Sequence, residues 1–309
     1  MLKKTSQLSF WHGEPRINEN IDSKSVGQYY MLFHHKAEYD DLLDRQGIPV
    51  LNYHGDIGNQ YNPIAIAQWG LGNYNIWHET KSDLHFKKFI KCADWLIDNL
   101  EKNSNGYKVW MHHFDFEYRD TLKAPLYSGL AQGQGISVLI RALKETNDSR
   151  YKKAAEEAIK VFGVSTESGG VNFIDSDGNP WIEEYIVHPP THILNGFIWG
   201  LWGLYDYGIF FNDEKVLMRY ECYIDTLVKN LDSYDTGFWS LYEHSGTWLG
   251  MIASTFYHKL HIVQLKVLFE LTNKNIFSKT AKKWESYLES SFNKKRALFQ
   301  KVIFKVAHY

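Results

Sequence analysis

The sequence predicts a mainly α-helical protein, an incomplete α/α barrel (toroid) of about four helix pairs with β-hairpins at one mouth. Three observations predict it. From about Pro63 onward, apolar residues recur at helical spacing. The helical segments alternate between two kinds, one apolar nearly all round and rich in small residues, the other amphipathic. The pairs recur about every 60 residues along the 309-residue chain, with no sequence motif repeated. A helix apolar on every side has to be buried. Alternating buried and half-exposed helices therefore require an inner ring wrapped by an outer one.

Taken in order, residues 1–60 read as an N-terminal arm packing on the barrel, and residues 61–309 as the barrel domain itself. The arm holds a basic-aromatic segment at 29–39 and a turn-rich passage at 44–61. The expected inner helices are 63–74, 127–144, 191–205 and 256–271, and the outer ones 83–101, 149–162, 213–231 and 276–290. Between pairs lie β-rich stretches. Residues 106–118 alternate, and Asp177-Gly178 between VNFID and PWIEEY signals a hairpin. Residues 234–242 read as a turn and a short strand.

Composition excludes several classes of function. A formal net charge of -2 and a pI near 6.7 give no field that attracts polyanions, so an anionic ligand needs local cations. No basic run suggests nucleic acid, and no stretch reaches the roughly 18 apolar residues of a membrane span. The segment AQGQGISVLIR at 131–141 lacks the lysine of a phosphate-binding loop and does not follow a strand, and Gln132 and Gln134 need partners or a ligand. Cys92 and Cys222 are too few for a disulfide framework, and the N-terminus has no secretory h-region, so a cytoplasmic setting is expected. Aromatics reach 16%, with 20 Tyr, 18 Phe and 11 Trp, which fill a core but also suit stacking under sugar rings.

Two stretches carry candidate chemistry. In WIEEYIVHPPT, Glu183 and Glu184 on an extended segment point to opposite faces. Glu184 with Tyr185 then puts a carboxylate and a phenol near the mouth, although a solvated Glu and a packing Tyr fit the same spacing. Residues 234–261 supply Tyr242, Glu243, His244, Tyr257, His258 and His261. His258 and His261 share a helix face, but no third ligand has matching spacing, so no metal and no cofactor are expected. The adjacent pairs His34-His35 and His112-His113 point opposite ways and make poor ligand pairs.

The stretches QGIPVLNYHG, QYNPIAIAQWGL, CADWLIDN, LYSGLAQGQGISVLIRAL, WIEEY, LNGFIWGLWGLYD, YDTGFWSLY, YHKLHIVQL and KKWESYL resemble, in order, the C-terminal domain of the D-glucuronyl C5-epimerase family. That family acts on heparosan-type chains in heparan sulfate assembly. The short spacing after YNPIAIAQWGL marks a compact version without the β-rich domain of the animal enzymes. The resemblance implies an epimerase that inverts carbon 5 of D-glucuronic acid to L-iduronic acid within a polysaccharide. It implies that Glu184 and Tyr185 form the catalytic pair, with Tyr242 and Tyr257 as further catalytic tyrosines. Asn195 and Trp199 fall at substrate contacts, Glu117 at a hairpin contact and Tyr30 at an N-terminal tyrosine position. Tyr61, His244, His258, His261 and Arg119 complete the expected substrate-binding set. The family's arginine three residues after the tyrosine matched by Tyr242 is Ser245 here, so His244, His258, Lys259 or Arg119 has to supply the cation for the uronate.

The expected partner is a uronic-acid-containing polysaccharide, with a second copy of the chain as a further candidate. Other readings stay open: a uronic-acid lyase on the same scaffold, a hydrolase using Glu117 and Glu184, or a non-catalytic sugar binder. A lyase shortens the polymer and leaves an ultraviolet-absorbing end, whereas an epimerase exchanges solvent deuterium into carbon 5.

Overall fold

The computed structural model describes residues 10–118, 121–246 and 249–308. Its inner helices are α1 (Pro63–Thr80), α3 (Gly129–Thr146), α5 (Leu194–Phe211) and α7 (Thr255–Thr272). The outer helices α2 (Asp83–Asp98), α4 (Ser149–Ala158), α6 (Glu214–Asn230) and α8 (Asn275–Glu289) each pack on the inner helix before them. The α/α barrel is thus the fold, its four pairs starting close to the expected positions. The inner helices run a turn or so longer than their apolar patterns, because a left-handed residue (Lys81, Asn147, Asn212, Asn273) ends each one. A last helix, α9 (Ser291–His308), was not expected from the sequence. Its apolar residues do not face one way, since Phe304 is buried while Leu298, Phe299 and Val302 are exposed.

Caps fix where the inner helices begin. The Asn62 side chain accepts from the amides of Ile64 and Ala65, Ser128 from Leu130 and Ala131, and Ser254 from Tyr257. The DG hairpin forms as expected: β8 (Asn172–Ile174) pairs with β9 (Pro180–Ile182), and Gly178 takes φ +80°. Strand character at 106–118 resolves into β4 (Lys108–His112) and β5 (Phe116–Glu117), paired with β3 (Leu100–Lys102) and β6 (Thr121–Leu122) respectively. A small hairpin, β1 (Leu51–Asn52) with β2 (Asn59–Gln60), precedes α1, and β7 (Leu126–Tyr127) pairs with β4 before α3.

The ring is drawn tight by glycines. A Cβ on Gly133 of α3 would lie 2.4 Å from the Trp199 carbonyl oxygen, and one on Gly203 of α5 would lie 2.3 Å from the Gly133 carbonyl oxygen. The two backbones therefore touch. Gln132 on the same helix is consumed structurally, its Oε1 accepting from the Trp110 amide at 2.9 Å.

Between α7 and α1 lies the segment that precedes Pro63. Lys259 of α7 pairs with Glu14 at 2.7 Å, His12 meets Phe256 edge-on, and a Cβ on Gly72 of α1 would strike Phe33. A fully buried ion pair anchors the same segment at the other end of the ring. Arg141 Nη1 meets Asp206 at 2.6 Å, Tyr30 donates to Asp206 at 2.6 Å, and Arg141 Nε donates to the Gly27 carbonyl. Tyr30 is therefore an anchor of the segment, about 16 Å along α5 from Asn195 at 1.5 Å per residue.

Replacing Gly133 by Ala forces the α3 and α5 backbones apart and should cost about 3 kcal/mol, the upper range for overpacking. Gly27→Ala, whose Cβ would have its nearest neighbour at 4.0 Å, should leave the urea midpoint unchanged. Equal midpoints for the two variants would show that the seam is not close-packed.

Candidate active site

All four inner helices begin at the same mouth, so their N-terminal ends converge there and favour negative charge. At this mouth lies a cavity of about 360 Å³. Glu184 and Tyr185, just after β9, form one wall with Asn195 and Trp199 from the first turns of α5. Tyr257, from the first turn of α7, forms another. A neighbouring recess of about 450 Å³ shares Glu117 and Tyr257 with it and adds Tyr242, Met251 and Phe304. The two spaces abut, forming a cleft suited to more than one sugar.

The local chain explains the wall. Glu183 points away from the cavity, and its carboxylate accepts from the amides of Thr191 and His192 and meets the His192 ring. That clamp folds the 183–193 loop back, with His192 stacked on Trp181 at 4.3 Å and its carbonyl accepting from Tyr234. Glu184 is thereby turned inward, its opposite facing being what the extended segment predicts. It is 4% exposed and accepts from Asn195 Nδ2 at 3.4 Å.

Burial sets the acid–base chemistry. Burial raises the Glu184 carboxyl to about 8, against lowering hydrogen bonds from Tyr185 and Asn195. The Tyr185 and Tyr242 phenols are held well above their ordinary value by burial and then by Glu184, and Tyr257 is raised for the same reasons. Tyr242 and Tyr257 are hydrogen-bonded, with ring centroids 4.8 Å apart. Two hydrogen-bonded couples, Glu184–Tyr185 and Tyr242–Tyr257, thus line one continuous cleft. Near neutral pH the phenols are protonated, and the carboxyl is poised between its two states.

Several predicted residues lie elsewhere. His258 is sealed between Trp239, stacked at 3.9 Å, and the Trp284 carbonyl, so it is not a substrate contact. Its Nδ1 accepts from the Ser240 amide, which fixes the Nε2–H tautomer, and burial lowers its pKa to about 4. His261 shares the Ser240 hydroxyl and is fully buried, another correction with the same cause. Both histidines are spent on fixing α7 against the Ser240 segment. His244 is half-buried beside Tyr234 and does not line the cavity. Tyr61 is exposed on the outside and donates to Asp44 at 2.8 Å. Tyr30 is the anchor described above. Arg119 lies outside the described residues.

Other cavity residues were not singled out from the sequence: Trp11, His12, Lys36, Tyr53 and Gln68. Most come from the N-terminal segment, so the arm supplies a wall of the cavity. The basic-aromatic composition of 29–39 was the available signal for Lys36. Among the described residues, Trp199 Nε1, Asn195 Oδ1 and Gln68 Oε1 are buried and lack a protein partner, an arrangement that suits a polyhydroxylated ligand. A wider groove of about 560 Å³ lies between the segment, α7 and α8, but two of its cations are already paired, Lys259 with Glu14 and Lys266 with Glu285.

Comparison with known proteins adds independent findings. Residues 103–286 match the family described as D-glucuronyl C5-epimerase C-terminus. The chain is 34% identical over 222 residues to the D-glucuronyl C5-epimerase of Caenorhabditis elegans, a match covering 67% of this chain and 36% of that protein. It is 27% identical over 214 residues to an uncharacterized protein of Methanocaldococcus jannaschii, covering 66% and 68% of the two chains. Among solved structures, an unsaturated glucuronyl hydrolase specific for heparin aligns with a TM-score of 0.50 at 13% identity, over 74% of this chain and 62% of that one. The unsaturated glucuronyl hydrolase of Bacillus sp. GL1 aligns with a TM-score of 0.49 at 13% identity, over 73% and 61%. The hydrolase specific for heparin shares the fold alone. The chain belongs to the D-glucuronyl C5-epimerase family, and its match spans about a third of the nematode enzyme.

Glu184 provides a test of the site's electrostatics. Its carboxyl ionises at about 4.5 when unfolded and about 8 when folded, so the stability it permits is full below pH 4.5 and lost as pH rises through 8. Glu184→Gln removes this loss. The melting temperature of the variant should gain on that of the unaltered protein between pH 4.5 and 8 and then run parallel to it. A difference that is constant with pH would rule out the raised carboxyl.

Proposed function

We propose that this member of the D-glucuronyl C5-epimerase family converts D-glucuronic acid to L-iduronic acid within a heparosan-type polysaccharide. The observation that carries this reading is the pair of hydrogen-bonded couples, Glu184–Tyr185 and Tyr242–Tyr257, on one cleft at the helix N-termini.

The reaction breaks the C5–H bond beside the carboxylate and forms a C5–H bond on the other face. Losing that proton leaves an electron pair that delocalises from C5 onto the carboxylate oxygens, so the enolate needs donors or a cation close by. Buried phenols are poor resting bases. A carboxyl near 8 is a competent one close to neutral pH, because effective proton-transfer groups have pKa values near the working pH. In this mechanism Tyr185 takes the C5 hydrogen while its own phenolic proton passes to the Glu184 carboxylate. Tyr257, backed by Tyr242, delivers a proton to the opposite face. Exchange with solvent then restores both couples. Every proton is accounted for within these side chains and water, so the step consumes no cofactor.

Incubation with heparosan in deuterium oxide should place deuterium at carbon 5 without shortening the chain or creating an ultraviolet-absorbing end. Tyr185→Phe and Tyr257→Phe should each slow that exchange by about 10²–10⁴, the usual contribution of a positioned acid or base. Exchange should also quicken as pH rises through about 8, where Glu184 becomes the ionised acceptor. Full exchange in both phenylalanine variants would overturn the assignment, and an unsaturated product would favour a lyase.

A further inference from the structure

The epimerase reading leaves one chemical need unmet, a cation for the uronate carboxylate. Of the groups nominated from the sequence, Lys259 is paired with Glu14 outside the cavity, His258 is sealed and held neutral, and His244 does not line the cavity. One other lysine does line it.

Lys36 sits in the one-turn helix His34–Ala37 and is 4% exposed. Its Nζ lies over the rings of Phe10 at 4.6 Å, Trp11 at 4.7 Å and Phe33 at 5.7 Å. Among the described residues, no carboxylate is within ion-pairing distance of it. A lysine is almost never this buried unless paired. The aromatic faces return part of the lost hydration, since cation–π contacts favour the ammonium. They do not replace an anion, and burial still holds the amine well below its ordinary pKa. Lys36 shares its cavity with Glu184, Tyr185 and Tyr257, and with the Trp199 indole N–H, which has no partner among the described residues.

We propose that Lys36 is the group that grips the C6 carboxylate of the uronic acid residue, held at the cavity by its aromatic cage and completed as an ion pair only when a uronate enters. The proposal rests on the epimerase reading for its substrate. It adds the basis of selection: a neutral hexose brings no counter-ion to the buried amine, whereas a uronate does. It also gives the enolate a cation on the carboxylate oxygens, where charge builds as the C5 proton leaves.

Lys36→Met keeps the length of the side chain and removes the buried amine, so the free variant should melt at a higher temperature than the unaltered protein. Its deuterium exchange should fall by about 10²–10³, the loss expected for removing one donor to a developing anion. Calorimetry with a heparosan oligosaccharide and its carboxyl-reduced counterpart supplies the second readout. The unaltered protein should prefer the uronate form by about 10²-fold, and Lys36→Met and Lys36→Gln should bind the two alike. Lys36→Arg should keep part of the preference. If either loss variant folds and retains both exchange and preference, Lys36 is not the grip. Loss of exchange and preference in Arg119→Gln, with Lys36→Met unaffected, would also overturn it. Absence of exchange in the unaltered protein on every uronic polymer would instead sink the epimerase reading, while the binding comparison would still judge Lys36.

Discussion

The seam between α3 and α5 is the constraint on which the rest of the molecule depends. With a Cβ on Gly133 or Gly203 the two helix backbones would overlap, so the inner ring closes to this diameter only because those side chains are missing. The seam continues to the mouth. A Cβ on Gly200 would lie 2.8 Å from Ile182 of β9, and one on Gly196 would lie 2.2 Å from the Glu184 carboxylate. The contact that sets the ring size therefore also sets how deep Glu184 sits. Its 4% exposure, and hence its raised pKa, follows from helix packing as much as from its own loop.

From that geometry the electrostatics follow. Four helix N-termini meet at one mouth, an arrangement that favours anions, yet the wall there carries a buried carboxyl and several phenols. Those groups persist because burial keeps them protonated near neutral pH. An anionic ligand can then enter without meeting a fixed negative charge. The same protonation makes ionised Glu184 a minority form at pH 7, so acceptance of an anion and basicity pull in opposite directions, and a carboxyl near 8 balances them.

The barrel was legible because a helix apolar on all sides has few places to go, and the hairpin because Asp-Gly demands a positive φ at its glycine. Glu184 with Tyr185 was legible through their alternation with Glu183 and through the resemblance to the epimerases. The histidines were not. Helical spacing shows that His258 and His261 face one way, but not that the facing partner is Ser240 and a tryptophan rather than a substrate. Nor was α9 legible, since its apolar residues are divided between the core and the surface. Lys36 was the hardest to read, because lysine in an irregular basic-aromatic segment looks like a solvated charge. Only the three-dimensional closure of 10–37 over α1 and α7 buries it.

That closure explains why a residue so far from the barrel helices belongs to the site. The Arg141–Asp206 pair with Tyr30 fastens the segment at one end of the ring, and Glu14 with Lys259 fastens it beside α7. Between these fastenings the chain has little freedom to lift Lys36 into water. Left to itself, a lysine would swing out to solvent and avoid the cost of dehydration. Here the aromatic rings of Phe10, Trp11 and Phe33 occupy the escape route and offer their faces instead. The arrangement is costly in the free protein and becomes favourable when a carboxylate arrives, which is the behaviour expected of a site built around its ligand's charge. On the opposite wall Glu184 rests neutral near neutral pH, and in the proposed reaction its minority ionised form takes the proton. In the proposed reaction the two buried groups, one from the segment and one from the seam, divide recognition and chemistry between them.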